Sequence, residues 1–374
     1  MPPAEIVVPI TTGQDFYVPY FEVKIGGRAQ GQDVVRDVLS VSYKDNIDEI
    51  DSFDMTINNW DAEKRAFKYS DGDRFDPGKK FDLWMGYYGH DRLRLMVHGE
   101  ITALRPSFPA GGGSTLTVSG LNVLHKLRNE KASRAYVKMT DAAIAEQIGK
   151  NIGIDVVADP SSNEWAYLFQ DNKDDIIFLM ERARLIGYDV FVDEQGKDGQ
   201  SQPPVLHFGS SLGIGRVNYH LEYGRTLIDF KPDLSTAKQV SHVAVHGWDP
   251  VNKKKIEGKA DRSQLSVDTV GASGGQAAIE QSFKERKEII ATKHVESQAE
   301  ADHVALHTLE QNAKQMLKAS GSTIGLPDLR AGSAVYVEGV GTRFSGRYFV
   351  TASTHAIGDS GYTTQFECRR EAKK

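Results

Sequence analysis

The feature that most constrains this 374-residue chain is a β-pattern written twice, about 250 residues apart. The first copy runs Gly78-Lys-Lys-Phe-Asp-Leu-Trp-Met-Gly86, then Gly99-Glu-Ile-Thr-Ala103, a glycine turn at Gly111 to Gly113, and Ser114-Thr-Leu-Thr-Val-Ser119. The second runs Gly332-Ser-Ala-Val-Tyr-Val-Glu-Gly339, then Tyr348-Phe-Val-Thr-Ala352, a turn at Gly358-Asp-Ser-Gly361, and Tyr362-Thr-Thr-Gln-Phe-Glu-Cys368. Each copy reads strand, turn, strand, glycine turn, strand, with the apolar–polar alternation of half-buried antiparallel strands. Ile101-Thr-Ala and Val350-Thr-Ala take the same place in both. A chain with two such modules can imitate a ring of twice its copy number, so the repeat points to assembly before chemistry.

Apolar residues at 40 % and charged residues at 26 % are ordinary for a globular protein of two or three domains. A net charge of −6 gives no support to a nucleic-acid binder held by phosphate contacts. The lone Cys368 allows no internal disulfide, which fits folding in a reducing cytoplasm. The N-terminus lacks a basic n-region, and no apolar run approaches 18 residues; neither a secretory signal nor membrane insertion is expected.

Around the repeat, Phe16–Ile25, Val34–Tyr43 and Phe53–Asn58 read as strands, with Asp61–Tyr69 as a short helix or loop. From Val137 the period changes. Thr140 caps a helix whose Ile144, Ile148 and Ile152 share one face, and Gly153 stops it. A second helix is expected from Asp171-Asn172 to Gly187, then strands at Tyr188–Val192 and Val205–Phe208. Val217–Phe230 and Ala237–His246 return to β, and 250–280 reads as an exposed excursion. Ser297-Gln-Ala-Glu300 is a capping box opening a long helix to Ser320, ended by Gly321. The expected fold is α+β and mainly β: two similar tube-like antiparallel β-barrel domains with a small α+β module between them. The boundaries are 1–130, 131–214 and 215–374, the last holding an inserted loop (about 250–296) and the long helix (about 297–320).

Catalytic signatures are sparse, and each has a bland reading. His303 and His307 stand one turn apart with Glu300 before them, but no further ligand completes a metal site. His242 and His246 share one face of a strand. Gly209-Ser-Ser-Leu-Gly213 lacks the order of a nucleophile elbow, and Gly339-Val-Gly341 lacks the third glycine of a dinucleotide turn. Cys368 reads as a buried small residue. The acidic pairs Asp48-Glu49 and Asp174-Asp175, and the charge runs 130–134 and 253–255, read as surface charge. Trp60, Trp84, Trp165 and Trp248 are spread over different modules, which argues against one sugar-binding cleft. No catalytic, cofactor-binding or metal-ligating residue is assigned. A carbohydrate- or peptidoglycan-binding β-protein, or a cell-wall hydrolase, is the alternative class.

In segment order the chain resembles the late control D family of phage tail-hub proteins. The resemblance rests on Leu329-Arg-Ala-Gly-Ser-Ala-Val-Tyr-Val-Glu-Gly-Val-Gly341, Phe344-Ser-Gly-Arg-Tyr-Phe-Val350, His355 and Gly361-Tyr-Thr-Thr364. A second motif, Gln170-Asp-Asn-Lys-Asp-Asp-Ile-Ile-Phe-Leu-Met-Glu-Arg-Ala-Arg-Leu-Ile-Gly-Tyr188, is similar to one shared with the type VI secretion spike protein VgrG. The resemblance implies a structural homotrimer of a contractile tail or injection particle, assembled in the bacterial cytoplasm. Two β-domains per subunit would present six modules to a hexameric tail tube and a three-fold face to the spike. Partners would be the tail tube protein, a separate spike protein and baseplate wedge components. No neck, β-prism or lysozyme-like segment follows the second β-domain, so spike and wall-degrading activity are expected on other chains. His355 matches a family position and reads as structural, a histidine ending a strand beside a glycine turn.

Overall fold

The computed structural model describes residues 7–9, 18–88, 93–128, 130–160, 164–195, 201–210, 218–249, 252–265, 267–268, 286–291, 295 and 297–373. The first β-unit contains β1 (Pro19–Ile25), β2 (Val38–Asn46), β3 (Ser52–Asn58), β4 (Lys80–Tyr87), β5 (Arg94–Ser107) and β6 (Thr115–Asn122). The α+β unit contains β7 (Lys131–Thr140), α1 (Asp141–Ile152), β8 (Asp155–Ala158), β9 (Glu164–Asp174), α2 (Asp175–Ile186), β10 (Asp189–Gln195) and β11 (Ser201–Gly209). The second β-unit opens with β12 (Asn218–Glu222) and β13 (Leu227–Leu234). An insertion follows: β14 (His242–Asp249), β15 (Lys254–Asp261), β16 (Lys287–Ile290) and α3 (Gln298–Lys314). The unit closes with β17 (Leu317–Ile324), β18 (Ala334–Glu338), β19 (Gly346–Gly358) and β20 (Gly361–Arg370).

The two β-units repeat one another strand for strand. The first pairs in the order β2-β3-β6-β5-β4-β1 and the second in the order β13-β17-β20-β19-β18-β12. Matching strands follow the same chain order, and the insertion replaces the short turn between β2 and β3. The irregularities match as well. The β5–β6 ladder skips Thr102 and the β19–β20 ladder skips Thr351, the central residues of the two Thr-Ala triplets. The β2–β3 ladder skips Leu39 and the β13–β17 ladder skips Ile228. Gly78 and Gly332, at φ +91° and +86°, each donate to the carbonyl of the residue before its bulge, Ile101 or Val350. Such a φ favours glycine, which explains why a glycine opens both copies. One strand departs: β1 is antiparallel to β4, whereas β12 is parallel to β18.

Each unit has its own core. Phe53, Phe81, Met55 and Leu83 fill the first, with the Phe53 and Phe81 rings stacked 3.9 Å apart. Tyr348, Phe366, Val350 and Leu221 fill the second. In the α+β unit, Ile144, Ile148, Ile176 and Leu179 pack against β8-β11-β10. Thr140 caps α1 through the Ala143 amide, and Gly153 ends it at φ +71°. The insertion packs α3 on β14 and β15, burying Val304, Ala305 and Leu309. Gly258 of β15 lets the two backbones meet: a Cβ there would stand 2.2 Å from the Ala301 carbonyl carbon.

Several expectations are corrected. The two β-units are open sheets among the described residues, not closed barrels. The long helix ends at Lys314, not Ser320; Leu317–Ile324 alternates buried and exposed positions as a strand, and Gly321 lies inside it. Helix α2 starts at Asp175, because Glu164–Asp174 pairs with Lys131–Thr140 as a two-stranded antiparallel ladder across α1 and β8, which helical spacing did not reveal. Residues Gln32–Asp37 form a short helix before β2, and 60–67 holds two short paired strands. The single strand expected over Val217–Phe230 is two, β12 and β13, and β13 runs on to Leu234. The 250–296 excursion contains β15 and β16; residues 269–285, including Gly271–Gly275, lie outside the described residues. No helix among the described residues is long and apolar enough to cross a membrane.

Candidate functional site

The β-units meet where β2 of the first adds to the edge of β19 in the second, antiparallel from Ala352↔Asn46 to Ile357↔Val41. The Ile47 amide extends this ladder by donating to the Thr351 carbonyl at 3.0 Å. Strand β19 is long enough to serve two neighbours on one edge: Gly346–Phe349 pairs with β18, and the remainder pairs with β2.

A buried ionic cluster holds this joint. The Arg330 guanidinium, 2 % exposed, donates through Nε to Asp45 Oδ2 at 2.7 Å and through Nη2 to the Tyr43 hydroxyl. It also lies 4.5 Å from the centre of the Tyr43 ring. Asp45 accepts from the Ala331 amide at 3.0 Å, the Ser353 amide at 3.1 Å and the Ser353 hydroxyl. Asp45 thus ties together β2, β19 and the 330–331 turn. Burial opposes its charge, yet Arg330, helped by Ser353, holds its carboxyl below the usual range.

His355 lies within β19, not at a strand end. Its Nε2 is 3.0 Å from Ser353 Oγ and 3.1 Å from the Leu329 carbonyl; its Nδ1 is 3.0 Å from Tyr362 Oη and 3.1 Å from Thr364 Oγ1. Burial pushes its pKa down to about 3, so the ring is neutral and its role is packing and hydrogen bonding. Beside it, Asp51 accepts from Tyr43 at 3.1 Å and from Asn122 Nδ2 at 2.7 Å. Burial, then the charge of Asp45, raises its pKa to about 7. Glu194 of β10 reaches in from the α+β unit, accepts from the His98 amide at 3.0 Å, and is raised to about 8 by burial. A second buried cluster locks β20 to the α+β unit and α3. In it Arg369 pairs with Asp189 at 3.0 Å and Glu371 at 2.9 Å, while Lys314 pairs with Glu371 at 3.2 Å.

The second sequence motif also supplies pins. Gln170 Nε2 donates to Asp175 at 2.7 Å and its Oε1 accepts from Tyr136 at 3.0 Å. Arg182 forks onto buried Asp141 at 2.6 and 3.0 Å and stacks on Trp165, whose Nε1 donates to the same carboxylate at 2.8 Å.

The other sequence candidates do not converge. His303 and His307 stack on α3 with centres 5.9 Å apart, and His307 faces Glu310 at 3.3 Å. His242 Nδ1 contacts Ser241 Oγ at 2.8 Å. Gly339 and Gly341 are turn glycines at positive φ, and 211–213 of the Gly209 motif lie outside the described residues. Cys368 is buried, which pushes its thiol pKa up. Asp48 pairs with Arg184 at 2.9 Å, and Asp175 with Arg134 at 3.0 Å. Trp84 lies under Lys24, Trp60 against Phe67, and Trp248 is half exposed on β14. A His98–Asp82 contact of 2.7 Å lines an open cleft of about 560 Å³, but among the described residues no Ser, Thr or Cys lines it for the pair to activate. Among the described residues no group of three or more His, Cys, Asp or Glu is placed to hold a metal ion. Sequence reading missed Arg330, Asp45 and Asp51. The signal available was a charged residue inside the motif Leu329–Gly341, and acids beside the apolar alternation of β2.

The chain shares its fold with solved phage tail proteins. The 43 kDa tail protein of prophage MuSo2 from Shewanella oneidensis superposes with a TM-score of 0.69 at 14 % identity, covering 94 % of this chain and 98 % of that one. A tail protein from Neisseria meningitidis gives 0.66 at 14 % identity, covering 95 % and 97 %. A type VI secretion system component from E. coli, described as structurally similar to phage T4 tail proteins, gives 0.56 at 13 % identity over 94 % and 79 %. No curated protein matches in sequence. The mainly β fold shared with these tail proteins agrees with the tail-hub resemblance, while the two β-units are not closed barrels among the described residues. A family model described as the Alg8 N-terminal domain matches residues 17–359, and the chain belongs to that family.

Proposed function

We propose that this protein is the structural hub of a contractile tail or injection particle, without enzymatic activity of its own. Three copies form a ring whose six β-units face the hexameric tail tube on one side. The other side presents a three-fold surface to a separate spike protein, with baseplate wedge components around it. The observation that carries this reading is the strand-for-strand repeat with shared bulges, locked edge to edge by the Arg330–Asp45 cluster. A three-fold ring matches a six-fold partner only if each chain offers two comparable patches in fixed relation. The joint supplies that relation. In the ring the open sheets become sectors of one closed tube. The units taking part are 1–130 and 215–374, with 131–214 and the insertion placed outside the tube wall. The shared fold of the tail proteins supports the same reading.

The test is the native mass of the purified full-length chain together with the protein content of tail particles from the producing cell. A trimer, and its recovery in the baseplate fraction, is the expected result. A monomer absent from particles overturns the proposal.

A further inference from the structure

The joint inside one chain also specifies the joint between chains, because the repeat can be applied a second time. Within the chain, β2 of the first unit covers the free half-edge of β19 in the second. The counterpart of β19 is β5, and the counterpart of β2 is β13. Among the described residues no other strand covers either on the matching edge: the far half of β5 pairs with β6, and β13 pairs with β17 apart from an isolated bridge of Leu227 to Tyr223. We propose, resting on the hub reading, that β13 of one copy adds antiparallel to the outer half of β5 in the next copy.

The shared bulges fix the register. Thr102 matches Thr351, and Leu39 matches Ile228, so the intrachain pairing His355↔Tyr43 maps to Pro106↔Pro232. The same mapping sets Leu104 opposite Leu234, Arg105 opposite Asp233, and Phe108 opposite Phe230. Two apolar pairs and one opposite-charge pair fall on facing positions, the combinations that stabilise a strand pair. The Arg105 side chain is 65 % exposed, reaching Ser119 Oγ at 2.5 Å and Asp54 at 3.9 Å, and Asp233 is exposed.

Burial records which joint is filled. Ala352, Ser353 and His355 are 5 %, 1 % and 0 % exposed under β2. Their counterparts Ala103 and Leu104 are half-buried, and Pro106 is exposed. Val41, Tyr43 and Asp45 are buried, whereas their counterparts Phe230, Pro232 and Leu234 are half-buried. Phe108 is 58 % exposed. Pro106 and Pro232 share one rung and offer no N–H there. Prolines on an edge blunt indiscriminate strand addition, leaving the side chains of flanking rungs to select the partner. Within one chain β5 and β13 are not paired with each other among the described residues, and six strands lie between them, roughly 30 Å along the sheet. The contact is therefore heterologous, and it closes as a ring only when successive copies complete the turn.

The test uses full-length protein carrying Arg105→Cys with Asp233→Cys; the native Cys368 is buried and does not compete. Mild oxidation is expected to give a covalent trimer, and Arg105→Cys with Lys231→Cys, two residues out of register, at least tenfold less of it. Arg105→Asp or Asp233→Arg alone is expected to weaken self-association at least tenfold, with the double swap restoring it. A trimer that neither cross-links nor responds to the swap overturns the strand pairing while leaving the hub reading intact. A chain that stays monomeric at every concentration overturns both.

Discussion

Replacing Arg330 with methionine removes the cation of the joint while keeping much of its side-chain volume. The structure sets the size of the effect. Arg330 is 2 % exposed and binds Asp45 at 2.7 Å, so the change leaves a buried carboxylate without its counter-charge. Losing one partner of a buried pair costs about 3–5 kcal/mol. Asp45 keeps donors from the Ala331 amide, the Ser353 amide and the Ser353 hydroxyl, which places Arg330→Met near the lower bound, about 3 kcal/mol. Asp45→Ala leaves the guanidinium only the Tyr43 hydroxyl as a hydrogen-bond acceptor, among the pairings described, and belongs nearer about 5 kcal/mol. The double variant removes both charges, so its cost is expected to fall short of the sum by about 2 kcal/mol. Urea unfolding followed by intrinsic fluorescence measures the cycle, with hydrogen exchange at 352–357 reporting whether β2 leaves β19. Single variants within about 1 kcal/mol of the parent, or additive effects, would refute the claim that this pair clamps the two units.

Glu194 and Asp51, with folded pKa values of about 8 and about 7 against ordinary values of 4.5 and 3.8, hold protons that the unfolded chain has released. Stability therefore falls as pH rises through that window, and Glu194→Gln should flatten the loss of melting temperature between pH 6.5 and 8.5. His355 acts in the opposite sense: its folded pKa of about 3 lies below the ordinary 6.5, so acid from pH 6.5 downward destabilises, and a neutral replacement that folds should lessen that acid limb. Gly258→Ala forces β15 away from α3 and is expected to cost about 1–3 kcal/mol, read as a lowered thermal midpoint with faster exchange in 298–314. Glu371→Ala takes from buried Lys314 its carboxylate partner and leaves Arg369 paired with Asp189, and should cost about 3–5 kcal/mol; an unchanged midpoint would contradict the second cluster.

The repeat was legible because alternation, positive-φ glycines and the Thr-Ala triplets are local features, each tied to one backbone requirement. The bulges at Thr102 and Thr351 sit inside those triplets, so the sequence match marked a real structural equivalence. What escaped was non-local. The strand Leu317–Ile324 follows α3 almost without a break, and Leu-Lys-Ala-Ser-Gly is compatible with a helix end until its partner β20 is known. The antiparallel pair of β7 with β9 carries exposed Val137, Tyr167 and Phe169, so its alternation is blurred. The joint itself joins Asp45 to Arg330, residues 285 positions apart, and only the folded sheet brings them together.

The most direct test of the account is the rotational symmetry of the purified oligomer by cryo-electron microscopy. The expected result is a ring of three chains, three times 41.3 kDa, with six alternating β-units around one lumen. A two-fold particle, an open filament, or a ring in which the two units lie at unrelated radii would contradict it.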